Sequence, residues 1–291
     1  MKTGFVAKGD FKVKLFLRKC GASFLFSAVV FFVVFVCLSR AQTPTSTNTN
    51  EMIQWRVLKI NDRLISGANA SQVRRLGISV KMNLVKISET GTDKVWLYNL
   101  DTRRFWLMRF KKKVFAEDSF SKLNSYYKKL AEDEKFAVES ERQRLKFMEG
   151  NEKEKLEKAI EQRLALISPV RRKFTTLRSP LGKETIAGQI ASPFEVRLGG
   201  ELVETVWLAD QLKTPPGWRK FLDIMSEIDP MDWKIESVLE GLALKGEMNY
   251  GGFQLSWDCI TVSTSDVALS DFNIPLNLKM VSFEEAVGLN R

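Results

Sequence analysis

No histidine occurs among the 291 residues. Ser-His-Asp and Cys-His sites, a histidine general base and the common zinc sites are therefore excluded. Carboxylate, lysine and tyrosine chemistry remains open in principle, but none of it leaves a recognisable spacing. Asp229 and Asp232 flank Pro230-Met231, two carboxylates close enough in sequence to be considered as metal ligands. Further carboxylates at loop spacing are missing, so the pair is expected to serve as turn and helix-cap residues. Of three cysteines, Cys20 and Cys37 sit in a long apolar N-terminal segment, which leaves Cys259 alone beyond it. One cysteine makes no internal disulfide. In Leu255-Ser256-Trp257-Asp258-Cys259, which alternates like a strand, it is expected to be a small buried hydrophobe rather than a reactive thiol. These residues point away from an enzyme, with no catalytic group, metal or cofactor expected.

Binding then falls to apolar surface. Val95-Trp96-Leu97-Tyr98 and Phe105-Trp106-Leu107-Met108 read as two strands around a short polar turn. With the loop at Leu100 to Arg103, Tyr98 faces Phe105 and Trp96 faces Leu107, while Leu97 pairs with Trp106 and Val95 with Met108 on the other side. Both faces are apolar, whereas a sheet with one wet face alternates. Something must cover the second face: the protein's own helices, a ligand or a partner. Val95, Leu97, Trp106 and Met108 are the expected lining of an apolar ligand site, with the hairpin's opposite face as the alternative. The exit Arg109-Phe110-Lys111-Lys112-Lys113 suits either anionic lipid head groups or the blunting of an exposed strand edge.

The elements that must position this hairpin are mostly strands. Leu76, Ile78, Val80, Met82 and Leu84 alternate with Gly77, Ser79, Lys81 and Asn83, as a strand with one buried face does. Asp118 to Ile167 is the one long helical region, with apolar residues at 3/4 spacing among dense charge. Gly150-Asn151 divides it into helices at about 120–149 and 152–167. Phe194–Leu198 and Glu201–Leu208 flank Gly199-Gly200 as a hairpin. Pro215-Pro216 opens a short amphipathic helix through Trp218, Phe221, Leu222 and Met225. Strands are expected at 246–250, 253–262 and 276–282. The pattern predicts α+β: one curved antiparallel sheet with helices on a face and a charged helical insert at about 118–168.

The N-terminus carries an export signal. Lysines and an arginine precede an apolar run from Cys20 to Leu38, followed by Ser39-Arg40-Ala41 and a polar linker at 42–50. This layout reads as a signal peptide cut after Ala41; a length of about 28 Å as a helix keeps a retained membrane anchor over residues 20–38 as the alternative. Residues 1–41 hold seven of the 45 basic side chains and one of the 35 acidic ones, so the rest carries 38 against 34. That near balance removes the case for a nucleic-acid partner. Residues 51–291 are expected to form the exported domain, in the periplasm or cell envelope.

Several motifs occur in a telling order. Leu97-Tyr98-Asn99-Leu100-Asp101-Thr102-Arg103-Arg104 is followed by the lysines at 111–113 and the charged insert. Then come Ile186-Ala187-Gly188, Phe194-Glu195-Val196, Glu204-Thr205-Val206-Trp207-Leu208-Ala209, Pro215-Pro216, Phe221-Leu222 and Phe272-Asn273-Ile274-Pro275. This order resembles the bacterial exported family called domain of unknown function 4412, over roughly Met52 to Ser282. Gln189 and Ala191 stand where that family often has an aromatic and a cysteine, and Leu278 replaces a terminal aromatic. The resemblance implies a fold like that of the outer-membrane lipoprotein carriers, a half-barrel with helices on its concave face. It also implies a hydrophobic partner, lipid or lipoprotein acyl chains. The alternative from the sequence is an envelope interaction module that meets a protein partner through its charged helical hairpin and carries a filled β core.

Overall fold

A computed structural model describes residues 50–62, 70–167, 173–229, 233–264 and 267–288. The apolar run and the expected cleavage point after Ala41 lie outside the described residues, as does Asp232. Among the described residues no helix is long and apolar enough to cross a membrane.

The chain begins as a meander of β1 (Glu51–Asp62), β2 (Ala70–Lys81), β3 (Leu84–Thr90), β4 (Lys94–Asn99), β5 (Arg104–Arg109) and β6 (Val114–Ser119). The alternation expected to run unbroken from Leu76 to Leu84 is in fact two strands. The chain reverses at Met82-Asn83, with Lys81 paired to Leu84 and Met82 at φ 52°. Alternation cannot register a two-residue turn, because the apolar beat carries across it. The consequence is real, since Leu84 changes face and Met82 is exposed.

Ser119 then caps α1 (Phe120–Arg144), its hydroxyl accepting from the Lys122 amide at 3.3 Å. A short 3-10 turn leads to α2 (Gly150–Ile167). Next come β7 (Phe174–Arg178), β8 (Glu184–Ile186), β9 (Gln189–Leu198) and β10 (Glu201–Ala209), then α3 (Pro216–Ile228) and α4 (Lys234–Ser237). The chain closes with β11 (Ala243–Tyr250), β12 (Phe253–Ser263), β13 (Lys279–Met280) and α5 (Phe283–Val287).

Among the described residues thirteen strands form one open, curved sheet in the order β13-β6-β5-β4-β3-β2-β1-β12-β11-β10-β9-β7, with β8 paired to β9. All pairs are antiparallel except β13 with β6. The fold is thus the expected α+β class. The strand expected at 276–282 shrinks to β13, because the residues before it lie across the sheet instead of joining it.

The helices share the sheet's inner face. Trp218, Phe221, Leu222 and Met225 of α3 bury against Met52, Ile78, Val80, Val85 and Ile87 of β1–β3. Gly217 permits this approach: a Cβ there would lie 1.7 Å from the Met82 carbonyl oxygen. Leu166 of α2 and Ile235 of α4 bury with Val206, Leu208 and Trp257 on the other half of the sheet.

Candidate functional site

The β4–β5 hairpin has the register read from the sequence. Tyr98 pairs with Phe105, Trp96 with Leu107, Leu97 with Trp106 and Val95 with Met108. Its inner face is an aromatic cluster. Tyr98 meets Phe221 of α3 edge-on at 5.0 Å, Phe105 meets Phe283 of α5 at 5.1 Å, and Trp218 stacks on Phe221 at 5.0 Å. Phe120 and Leu123 at the start of α1 complete the wall. The cover over this part of the inner face is therefore a short amphipathic helix, α3, flanked by the first turns of α1 and the five residues of α5.

Val95, Leu97, Trp106 and Met108 come together on the outer face. Leu97 and Met108 are buried, and Val95 and Trp106 are partly so, against Val267, Phe272, Ile274 and Leu278. The second apolar face is thus covered by an irregular strap formed by the C-terminal residues 267–280, where the sequence left helices, a ligand or a partner open. Polar groups pin the strap's start: Lys81 reaches the Val267 carbonyl at 2.5 Å and Glu51 accepts the Val267 amide at 3.2 Å. The Lys81 ammonium and that amide hold the Glu51 carboxyl below its usual range. At its end, Lys279 donates its amide to the Lys113 carbonyl at 2.9 Å, so the exposed lysine turn borders an edge that β13 occupies.

Asp229 ends α3, its amide bonded to the Met225 carbonyl at 2.7 Å. Cys259 is a buried free thiol whose pKa burial pushes up. Among the described residues no group of three or more His, Cys, Asp or Glu could hold a metal ion.

Sequence reasoning missed a buried charge cluster on the inner face. Arg56 of β1 is 3% exposed and forms a two-point ion pair with Glu236 of α4, one arm at 3.0 Å. Its Nε donates to Gln54 Oε1 at 3.0 Å, and its guanidinium lies 4.3 Å over the Trp257 ring. Glu204 of β10 is 5% exposed and accepts the Trp257 indole N–H at 3.1 Å. Burial pushes its pKa up to about 7; the Trp257 bond opposes this, Glu236 adds to it and Arg56 opposes it. A signal was present: on a strand, Glu204 shares parity with the inward Val206 and Leu208.

The helical hairpin is clamped at its base. Arg163 of α2, 2% exposed, pairs with Glu134 of α1 and lies 3.9 Å over the Phe253 ring. Gln162 accepts the Gly251 amide at 3.1 Å. The distal half has a separate apolar seam of Val138, Leu145 and Ile160, while Phe136 and Phe147 are 78% and 89% exposed.

No family model matches the chain, and no curated protein matches it. Among solved structures it is similar to an uncharacterised conserved protein from Thermus thermophilus, at 5% identity and TM-score 0.37, covering 79% of this chain and 90% of that one. A domain named for outer-membrane lipoprotein sorting, from Vibrio parahaemolyticus, matches at 12% identity and TM-score 0.32 over 78% and 90%. A LolA superfamily protein from Nitrosomonas europaea matches at 9% and 0.28 over 78% and 91%. Likeness at this level carries no information on ligand or role.

Proposed function

We propose that this is a non-enzymatic exported envelope protein that holds a hydrophobic ligand, a lipid or lipoprotein acyl chain, between the inner face of its sheet and the α3–α5 cover. The observation that carries the reading is the kind of surface α3 covers. Trp96, Tyr98, Phe105 and Leu107 continue Ile78, Val80 and Ile87 into one apolar floor, and only short helical segments close it. In the closed form this floor is filled by Trp218, Phe221 and Phe283, so a ligand enters by displacing the cover. Each methylene buried in exchange contributes about 0.8 kcal/mol, so one acyl chain supplies useful affinity with no catalytic group. Val95, Leu97, Trp106 and Met108, under the strap, are a second apolar lining that becomes available only if the strap lifts. The N-terminal export layout supports an envelope location, with the domain soluble after cleavage or tethered.

The test is to purify the exported protein without detergent and analyse its organic extract by mass spectrometry, alongside titration with a fluorescent acyl probe. Co-purified lipid, or saturable probe binding weakened about tenfold by a bulky substitution on the floor such as Leu107→Trp, is expected. Repeatedly lipid-free protein that binds no probe would sink the reading.

A second reading has its own observation. Phe136 and Phe147 are large aromatics left in water on the distal half of the helical hairpin, whose buried seam is separate from the sheet's core. They suit a protein partner in the envelope. Replacing both with serine is expected to abolish partner capture while leaving acyl-probe binding intact.

A further inference from the structure

One guanidinium serves two carboxylates, Glu236 by direct contact and Glu204 at one remove. Glu236 takes Arg56 by two hydrogen bonds, and their side chains are only 11% and 4% exposed. Glu204 reaches the same group through Trp257, whose ring face carries Arg56 while its N–H bonds Glu204. Gly246 makes the space, since a Cβ there would lie 2.2 Å from both Glu204 Oε1 and Trp257 Nε1. Arg56 is hydrogen-bonded to Glu236 and not to Glu204, so burial favours the protonated form of Glu204 in this arrangement.

We propose that Glu204, Arg56 and Glu236 form a proton-controlled latch that holds α4, and with it the α3 cover, on the sheet. With Glu204 protonated, Arg56 is free to bind Glu236. Loss of the proton makes Glu204 a rival for Arg56 and a repelling neighbour for Glu236, and α4 loosens. Around Glu204, β1 supplies Arg56 and neutral Gln54, β12 supplies Trp257 and the protonated thiol Cys259, α4 supplies Glu236, β11 supplies Gly246 and Met248, β9 supplies Val196 opposite, and α2 lays apolar Leu166 on the same half of the sheet. The link from α4 to α3 is Arg219, whose guanidinium donates to the Leu239 carbonyl at 2.6 Å and to the Ser237 carbonyl. The burial that raises Glu204 to about 7 places the change within the ordinary range of envelope pH. The latch regulates the site proposed above and rests on α3 and α4 being its cover.

The experiment is hydrogen exchange on the lipid-free exported protein at about pH 6 and pH 8, either side of the Glu204 value of about 7, corrected for the intrinsic pH dependence of amide exchange. Protection over residues 234–239 is expected to fall by up to about tenfold at the higher pH. Glu204→Gln, always neutral, keeps the low-pH protection at both values, and Glu236→Gln leaves α4 open at both. Equal corrected protection of the wild type at the two pH values, or wild-type pH dependence persisting in Glu204→Gln, would overturn the latch. Acyl-probe titration of the same samples keeps the two ideas separate. Working exchange behaviour without probe binding removes the ligand and keeps the latch; probe binding with flat exchange does the reverse.

Discussion

Glu204 sits in Val203-Glu204-Thr205-Val206, a stretch in which an acidic residue suggests the wet side of a strand. Its burial gives it an energetic signature. The folded pKa, about 7, lies above the unfolded value of 4.5. Its favourable contribution is therefore full below pH 4.5 and is lost as pH rises towards 7. The difference is of order 3 kcal/mol, at about 1.4 kcal/mol per pKa unit. Urea unfolding at about pH 5 and pH 8 should show the loss, and Glu204→Gln should remove most of it. If wild type and variant fall equally, Glu204 is not the group responsible. Glu51 has the opposite sign: its pKa is lowered, so its contribution is present above 4.5 and lost in acid. The absence of histidine leaves Glu204 as the described residue that a pH near neutrality would act on, a role the sequence alone did not reveal. The alternation of Glu204, Val206 and Leu208 carried the clue, but an inward carboxyl needs a hydrogen-bond partner, and Trp257 is 53 positions away.

At the scale of elements, local signals were read well and coverage was not. The β4–β5 register follows from a four-residue turn and cross-strand matching, both of them local. The split of the charged insert at Gly150 follows from a residue whose φ of +65° suits a helix break. The strap is different. Val267, Phe272 and Leu278 are spaced irregularly, so no period announces that they cover Leu97 and Met108. Phe272→Ala is expected to destabilise the protein by about 3 kcal/mol and to expose the outer face of β4 and β5, read by thermal unfolding and by increased binding of a hydrophobic dye. A change within about 0.5 kcal/mol would mean that the strap contributes little. The turn at Met82-Asn83 was missed for a related reason, since a two-residue reversal leaves the apolar beat almost unbroken.

For the whole molecule, the central question is which parts depend on one another. The distal helical hairpin has a seam of its own, and its base is clamped through Arg163, Glu134 and Phe253. Replacing residues 136–156 with a short turn is therefore expected to keep the sheet and the α3 cover folded, with unchanged near-ultraviolet circular dichroism and a Tm within a few degrees. Loss of the folded signal would mean that the hairpin supports the core. What the sequence determined by itself was the class of the fold, the β4–β5 and β9–β10 hairpins, the helix break and the composition that excludes histidine chemistry. Each of these depends on composition or on residues within one turn or two of each other. The tertiary structure alone decided which segment covers which face of the sheet, and that Arg56, Glu204 and Glu236 meet. Those outcomes depend on curvature and on contacts across as many as 216 positions, and a curved sheet brings such positions together without leaving any period in the chain.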